Sequence, residues 1–235
     1  MDGNTYERIK DDYNKLREYS KLKENSITNK KMFRFVKRTT DIIISIFGII
    51  MLLPITIIVC ILNLVTKNKG PIFFVQKRVG INGKIFKMYK YRTMVVNAEE
   101  ILNRHIEEKT KIGKEYIKNK KLQNDPRITK VGKLLRKTSL DEFPQFINVL
   151  KGDMSLVGPR PYLIREIKDM NDYYYYITKE RPGLTGLWQI SGRSNVGFEN
   201  RLELDYKYVI NKSLKNDLLI ILKTISSVLK KEGAI

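Results

Sequence analysis

The chain has 235 residues, enough for one substantial domain plus an anchor, with a formal charge of +20 and a pI near 9.8. Such an excess of lysine and arginine calls for anionic partners: nucleic acid, phosphorylated small molecules or an anionic lipid leaflet. One cysteine, Cys60, and one histidine, His105, exclude a disulfide framework and a zinc cluster.

Residues 1 to 31 mix acids and bases without an apolar core. They read as a charged lead-in, a solvated helix or loose segment, and not as a cleavable signal peptide. The anchor follows over residues 32 to 66. From Ile42 to Thr66 no residue is charged, and as a straight helix that stretch reaches about 37 Å, enough to cross a hydrocarbon core of about 30 Å. Three readings stand: a span, a buried core helix, or a helix that turns at Pro54 and returns to the face it entered. Proline removes a backbone hydrogen bond and crowds the preceding turn, although spanning helices tolerate it. The flanks favour the re-entrant reading. Lys30, Lys31, Arg34, Lys37 and Arg38 precede the segment, and Lys67, Lys69, Lys77 and Arg78 follow it. Positive-inside bias wants both clusters at the cytoplasmic face.

Residues 67 to 235 are expected to form a cytoplasmic domain. GPIFFVQKRVGINGKIFKMYKYRTM alternates apolar and basic residues around Asn82-Gly83, which predicts a β-hairpin. Residues 97 to 124 read as a charged helix, ended by the turn at Asn124-Asp125-Pro126. Val131 to Leu150 is amphipathic, with Pro144 kinking it or opening a new helix. Gly158-Pro159-Arg160-Pro161 predicts a rigid extended loop. A glycine-rich stretch, RPGLTGLWQISGRSN, comes next. Leu214 to Lys231 closes the chain as an amphipathic helix, with Leu218, Leu222, Ile225 and Leu229 on one face, packed on the core or laid in the interface. The fold class is therefore α/β and mostly helical, with a small β-hairpin or sheet and an N-terminal re-entrant membrane helix.

The chemistry centres on Asp141 and Glu142. An adjacent acid pair is usually a solvated surface feature, but this one lies between Leu140 and Phe143, beside Pro144, in a strongly basic chain. One carboxylate can attack phosphorus to form an acyl phosphate while its neighbour holds a divalent cation. Arg160, between two prolines, suits bidentate phosphate recognition or a structural ion pair. Arg136 can reach the same anion or lipid headgroups. Asp125 reads as a turn cap before it reads as a ligand. In the glycine-rich stretch, Trp188 offers a stacking face and Gln189 and Arg193 polar partners, which suits a uridine and pyrophosphate. A glycine turn with a core tryptophan fits that stretch equally well.

From Arg34 to Ile235 the chain resembles the bacterial sugar transferase family, the monotopic phosphoglycosyl transferases that act on polyprenyl phosphate. The linked motifs are the anchor, the GPIFFVQKRVGING hairpin, NDPRITKVGKLLRKTSLDEFPQFINVLKGDMSLVGPRP and RPGLTGLWQISGR. The resemblance implies Asp141 as nucleophile, Glu142 as the Mg²⁺-side carboxylate, and Arg136 and Arg160 as phosphate-handling arginines. It implies transfer of a sugar-1-phosphate from a UDP-sugar to undecaprenyl phosphate at the cytoplasmic leaflet, with downstream glycosyltransferases as further partners. The ending looks most like members that move galactose- or glucose-1-phosphate for capsule and exopolysaccharide. Leu53 stands where many members carry Ser before the proline, and the multi-span N-terminal region of longer members is expected to be missing. A ternary-complex transfer and a membrane-tethered nucleic-acid binder are the rivals. The second lacks any recognisable nucleic-acid module.

Overall fold

A computed structural model describes residues 27–67, 70–119, 122, 124–192 and 196–230. Most of the lead-in, and Arg193, lie outside the described residues. The chain opens with one helix of 39 residues, α1 (Ile27–Val65), which carries Pro54 inside it. Strands β1 (Phe73–Val79) and β2 (Ile85–Tyr91) pair antiparallel, with Phe73 opposite Tyr91 and Val79 opposite Ile85. The predicted hairpin is present. Its turn places Asn82 and Gly83 at φ of 55° and 75°, the left-handed region these residue types tolerate.

The helix expected over residues 97 to 124 is two helices, α2 (Ala98–Glu107) and α3 (Lys111–Asn119). The break falls at Lys109, at φ 52°, and Thr110 Oγ1 accepts from Gly113 N at 3.2 Å. Helix α4 (Lys130–Lys137) is capped by the Thr129 side chain, and α5 (Gln145–Lys151) starts directly after Pro144. Proline here opens a helix, where its missing N–H costs nothing.

Strand β3 (Ser155–Val157) pairs parallel with β4 (Gly183–Thr185), and helix α6 (Tyr173–Ile177) lies on the crossover between them. The short helix α7 (Leu187–Ile190) and the longer α8 (Phe198–Asn211) and α9 (Leu214–Leu229) complete the domain. The core is a run of apolar clusters. Met88, Val149, Met154 and Val157 meet Tyr208 and Ile220 in one, and Tyr91, Val131 and Leu135 meet Leu52 and Val59 of α1 in another.

Helix α1 is part of this domain along most of its length. Its buried positions, Asp41, Ser45, Leu52, Val59 and Asn63, recur at helical spacing on both sides of Pro54. Before the proline the seam is polar. Lys37 Nζ pairs with Asp217 at 2.6 Å and donates to Val157 O at 2.8 Å. Arg38 donates to the carbonyls of Val149 and Leu150, serving the C-terminal end of α5. Asp41 Oδ1 accepts from Leu156 N at 2.9 Å and from Ser155 Oγ. After the proline, Thr56 Oγ1 donates to Leu52 O at 2.7 Å and lies 2.6 Å from Tyr91 Oη, whose hydroxyl is then the donor of that pair. That carbonyl lies two residues before Pro54, in a chain that has Leu53 and no serine there. The opposite face exposes Ile43, Phe47, Ile50, Leu53, Ile57, Ile61 and Leu64.

Helix α9 divides its faces otherwise than by the 218/222/225 stripe alone. Leu218, Leu222 and Ile225 are exposed, while Asp217, Ile220 and Thr224 face the domain.

Strands β3 and β4 run on into loops whose backbones touch, and glycine is what permits it. A Cβ on Gly183 would lie 2.1 Å from Gly158 N, and one on Gly158 would lie 2.4 Å from Arg181 O. Each of these glycines thus makes room for the other's backbone. Gly183→Ala should destabilise the domain by roughly 1–3 kcal/mol or more, since the clash is with backbone that cannot rotate away. An unchanged denaturation midpoint would refute that packing.

Candidate active site

Helix α4 stops because Ser139 turns left-handed, at φ 56°, and residues Leu140–Glu142 then form a single 3-10 turn. Leu140 and Phe143, at either end, pack against the Tyr91–Val131–Leu135 cluster. The two apolar anchors hold the turn down and leave Asp141 and Glu142 between them at the domain surface. That is why an acid pair sits between apolar neighbours.

Their electrostatics differ. Glu142 Oε1 is 2.7 Å from Lys90 Nζ, with the side chain 40% exposed. Burial alone would raise its carboxyl, but the Lys90 ammonium, with Arg160 behind it, outweighs that and holds Glu142 below the usual carboxylate range. Asp141 has no such partner. Burial first, and the Glu142 charge second, push it up to about 6, against the pull of Lys90 and Arg136. Glu142 therefore gives up its proton first, and Asp141 is the basic, unpaired member of the dyad. A carboxylate of that kind is the better nucleophile.

Arginines flank the pair on both sides. On the Asp141 side, Arg136 Nε donates to Thr93 Oγ1 at 3.0 Å, its guanidinium kept below its ordinary value by burial. On the Glu142 side, the Pro159–Pro161 loop presents Arg160. The Arg160 backbone N donates to Asp205 Oδ2 at 3.0 Å, and Tyr162 Oη donates to the same oxygen at 2.7 Å. The Arg160 side chain lies over Trp188, 5.1 Å from the ring centroid. Gln189 Nε2 donates weakly to Leu184 O, and its Oε1 is buried without a partner. Arg136 thus lies on the Asp141 side of the dyad and Arg160, with Trp188 beneath it, on the Glu142 side, while Gln189 bonds back to Leu184 of β4. Asp125 accepts from Arg127 N and pairs with its guanidinium at 2.6 Å, as a turn cap does.

Lys90, Arg78, Arg201 and Asp205 were not singled out as site residues by the sequence. Asp205 left the clearest trace: it falls three residues after Leu202 and three before Tyr208, on the buried stripe of α8, and is fully buried itself. A carboxylate in an apolar stripe asks for a reason.

Among the described residues no group of three or more His, Cys, Asp and Glu could hold a metal ion. The donor set still fits Mg²⁺, which ordinarily takes one or two carboxylates and completes its shell with water and substrate phosphates. Glu142 Oε2 and Asp141 are the oxygens available, since Lys90 engages Glu142 Oε1.

A profile of the bacterial sugar transferase family matches residues 32–231, almost the whole described chain. The chain belongs to the bacterial sugar transferase family. Among curated relatives of this sugar transferase, the undecaprenyl-phosphate galactose phosphotransferase of Salmonella typhimurium is 46% identical over 205 residues, 87% of this chain and 43% of that protein. The UDP-galactose-lipid carrier transferase of Erwinia amylovora is 44% identical, over 86% of this chain and 42% of its own length. The exopolysaccharide production protein ExoY of Sinorhizobium fredii is 42% identical, over 84% of this chain and 87% of its own length. The sugar transferase described here thus spans less than half of the first two relatives and corresponds to nearly the whole of the third.

Proposed function

We propose that this chain transfers a hexose-1-phosphate from a UDP-sugar to undecaprenyl phosphate, releasing UMP, as a membrane step in exopolysaccharide or capsule assembly. The observation that carries the reading is the asymmetric dyad: an unpaired, raised Asp141 next to a Glu142 held ionised by Lys90. In the first step an Asp141 carboxylate oxygen bonds to the sugar-bearing phosphorus, and the P–O bond to UMP breaks. In the second, an oxygen of undecaprenyl phosphate attacks the same phosphorus and the aspartyl–phosphorus bond breaks, freeing Asp141. Dividing a transfer between two anions in this way replaces one difficult step with two easier ones. Arg136 and Arg160 hold the phosphates on either side of the dyad. A Mg²⁺ held by Glu142 would neutralise charge on the pyrophosphate and the departing UMP.

The two-step route predicts a product without acceptor. With UDP-sugar alone, up to about one UMP per active site should be released, and intact-protein mass spectrometry should show an added hexose phosphate on Asp141. UMP that appears only with undecaprenyl phosphate, with no adduct trapped, would favour direct transfer in a ternary complex.

For the membrane, the supported reading is a monotopic chain whose α1 enters and stays at the cytoplasmic leaflet. Residues on both sides of Pro54 pack on the same polar domain, so a span across the bilayer would carry that domain into lipid. In a Cys60→Ser background, Lys31→Cys and Lys67→Cys should both be protected from an impermeant thiol reagent outside intact cells. Labelling of the Lys31→Cys variant alone would mean a span with its N-terminal end outside.

A further inference from the structure

Three guanidinium groups converge beyond Glu142 from three separate elements: Arg78 at the end of β1, Arg160 in the Pro159–Pro161 loop and Arg201 in α8. They are close enough that, after burial itself, the charge of Arg160 is the chief influence lowering both Arg78, to about 10, and Arg201. Among the described residues none of the three has a carboxylate within 4 Å. Arg78 is 8% exposed and donates to Pro161 O and Gln76 Oε1, and Arg201 donates to Val196 O. The Nε of each arginine is buried without a partner.

Arg160 and Arg201 both lie over Trp188, each 5.1 Å from the ring centroid, and the indole N–H is also buried and unpaired. Asp205 fixes the arrangement. It lies four residues after Arg201 on α8, and its Oδ2 holds the Arg160 backbone. The buried Asp205 thus holds the backbone that carries Arg160 and stands one helical turn from Arg201. Glu166, the next acid in reach, acts on Arg78 and Arg201 through its charge but accepts from Leu163 N and forms an ion pair with neither.

Unpaired buried cations are costly, and like charges at close range more so. A cluster of this kind makes sense when an anion completes it, and planar guanidiniums with free N–H groups match phosphate oxygens. We propose that Arg78 and Arg201 join Arg160 in a phosphate-binding subsite walled by Trp188, next to the Asp141–Glu142 dyad. The subsite would hold a phosphate group that takes part in the transfer, a step that rests on the function proposed above. That phosphate has two sources, the nucleotide of the donor or the headgroup of the lipid acceptor.

Trp188 is the only tryptophan of the chain, so its emission reports on this subsite directly. The full chain in detergent, titrated with inorganic phosphate, should show a saturable change in Trp188 fluorescence. Arg201→Gln and Arg78→Gln should each weaken phosphate binding about tenfold or more. If Arg201→Gln fails to fold, Arg201→Lys decides: it keeps the charge and loses the fork, so weaker binding at an unchanged melting temperature supports the subsite. Displacement of phosphate by UDP identifies the donor as its source, and displacement by farnesyl phosphate identifies the acceptor. A response that never saturates, or equal affinity in wild type and the folded variants, would overturn the proposal. Binding is read without turnover, so a chain that binds phosphate through Arg201 yet releases no UMP would refute the transferase reading alone.

Discussion

Asp141→Asn should abolish turnover while leaving the fold intact. The amide matches the carboxylate in shape, so the 3-10 turn and its Leu140 and Phe143 anchors are retained. What is lost is the anionic oxygen that bonds to phosphorus. Losing a covalent nucleophile removes the whole two-step route, a loss of several orders of magnitude in rate, on the order of 5 kcal/mol or more in barrier. The hexose-phosphate adduct should vanish with it. The check is UMP release from a UDP-sugar, with circular dichroism and melting temperature confirming a native fold. A variant that keeps a tenth of wild-type activity would remove Asp141 from the nucleophile's role.

The hairpin, the opening of α5 at Pro144 and the dyad between apolar residues were legible because each rests on local chemistry: Asn-Gly turn geometry, a missing N–H, and an acid pair flanked by leucine and phenylalanine. What escaped depends on contacts distant in sequence. Lys90 is 52 residues from Glu142, and nothing in its strand distinguishes it from Lys87. The break between α2 and α3 rests on one residue at positive φ, Lys109, which no residue preference announces. The glycines near Trp188 could be read as a ligand cradle, whereas Gly183 and Gly158 are fixed by each other's backbone. The anchor was half legible. Its length and apolarity speak for a membrane, but contacts distant in sequence, among them those of Lys37, Asp41 and Thr56 on both sides of the proline, tie it to the domain.

Lys90→Met should move the pH profile of the transfer as well as lower its rate. With Lys90 in place, Asp141 is raised to about 6 by burial and by Glu142, against the pull of the ammonium. Lys90 also contributes most of what holds Glu142 low. Removing the ammonium makes both acids bind protons more tightly. The nucleophile must be ionised to attack, so the acid limb of the profile moves to higher pH. Each pH unit of that displacement costs roughly tenfold in ionised Asp141 on the acid side, and nothing well above it. For a displacement of about one to two units, the rate loss should therefore be about three- to twenty-five-fold near pH 6.5 and shrink toward pH 8.5. Lys90→Arg, which restores a charge beside Glu142, should bring the limb back toward its wild-type position. The measurement is the rate of adduct formation from UDP-sugar alone, across pH, so that the protonation of the lipid phosphate cannot contribute. Parallel profiles for wild type and Lys90→Met would mean that Lys90 only holds Glu142 in place. A limb that moves with the charge at position 90 would make the strand lysine the group that sets when Asp141 can act.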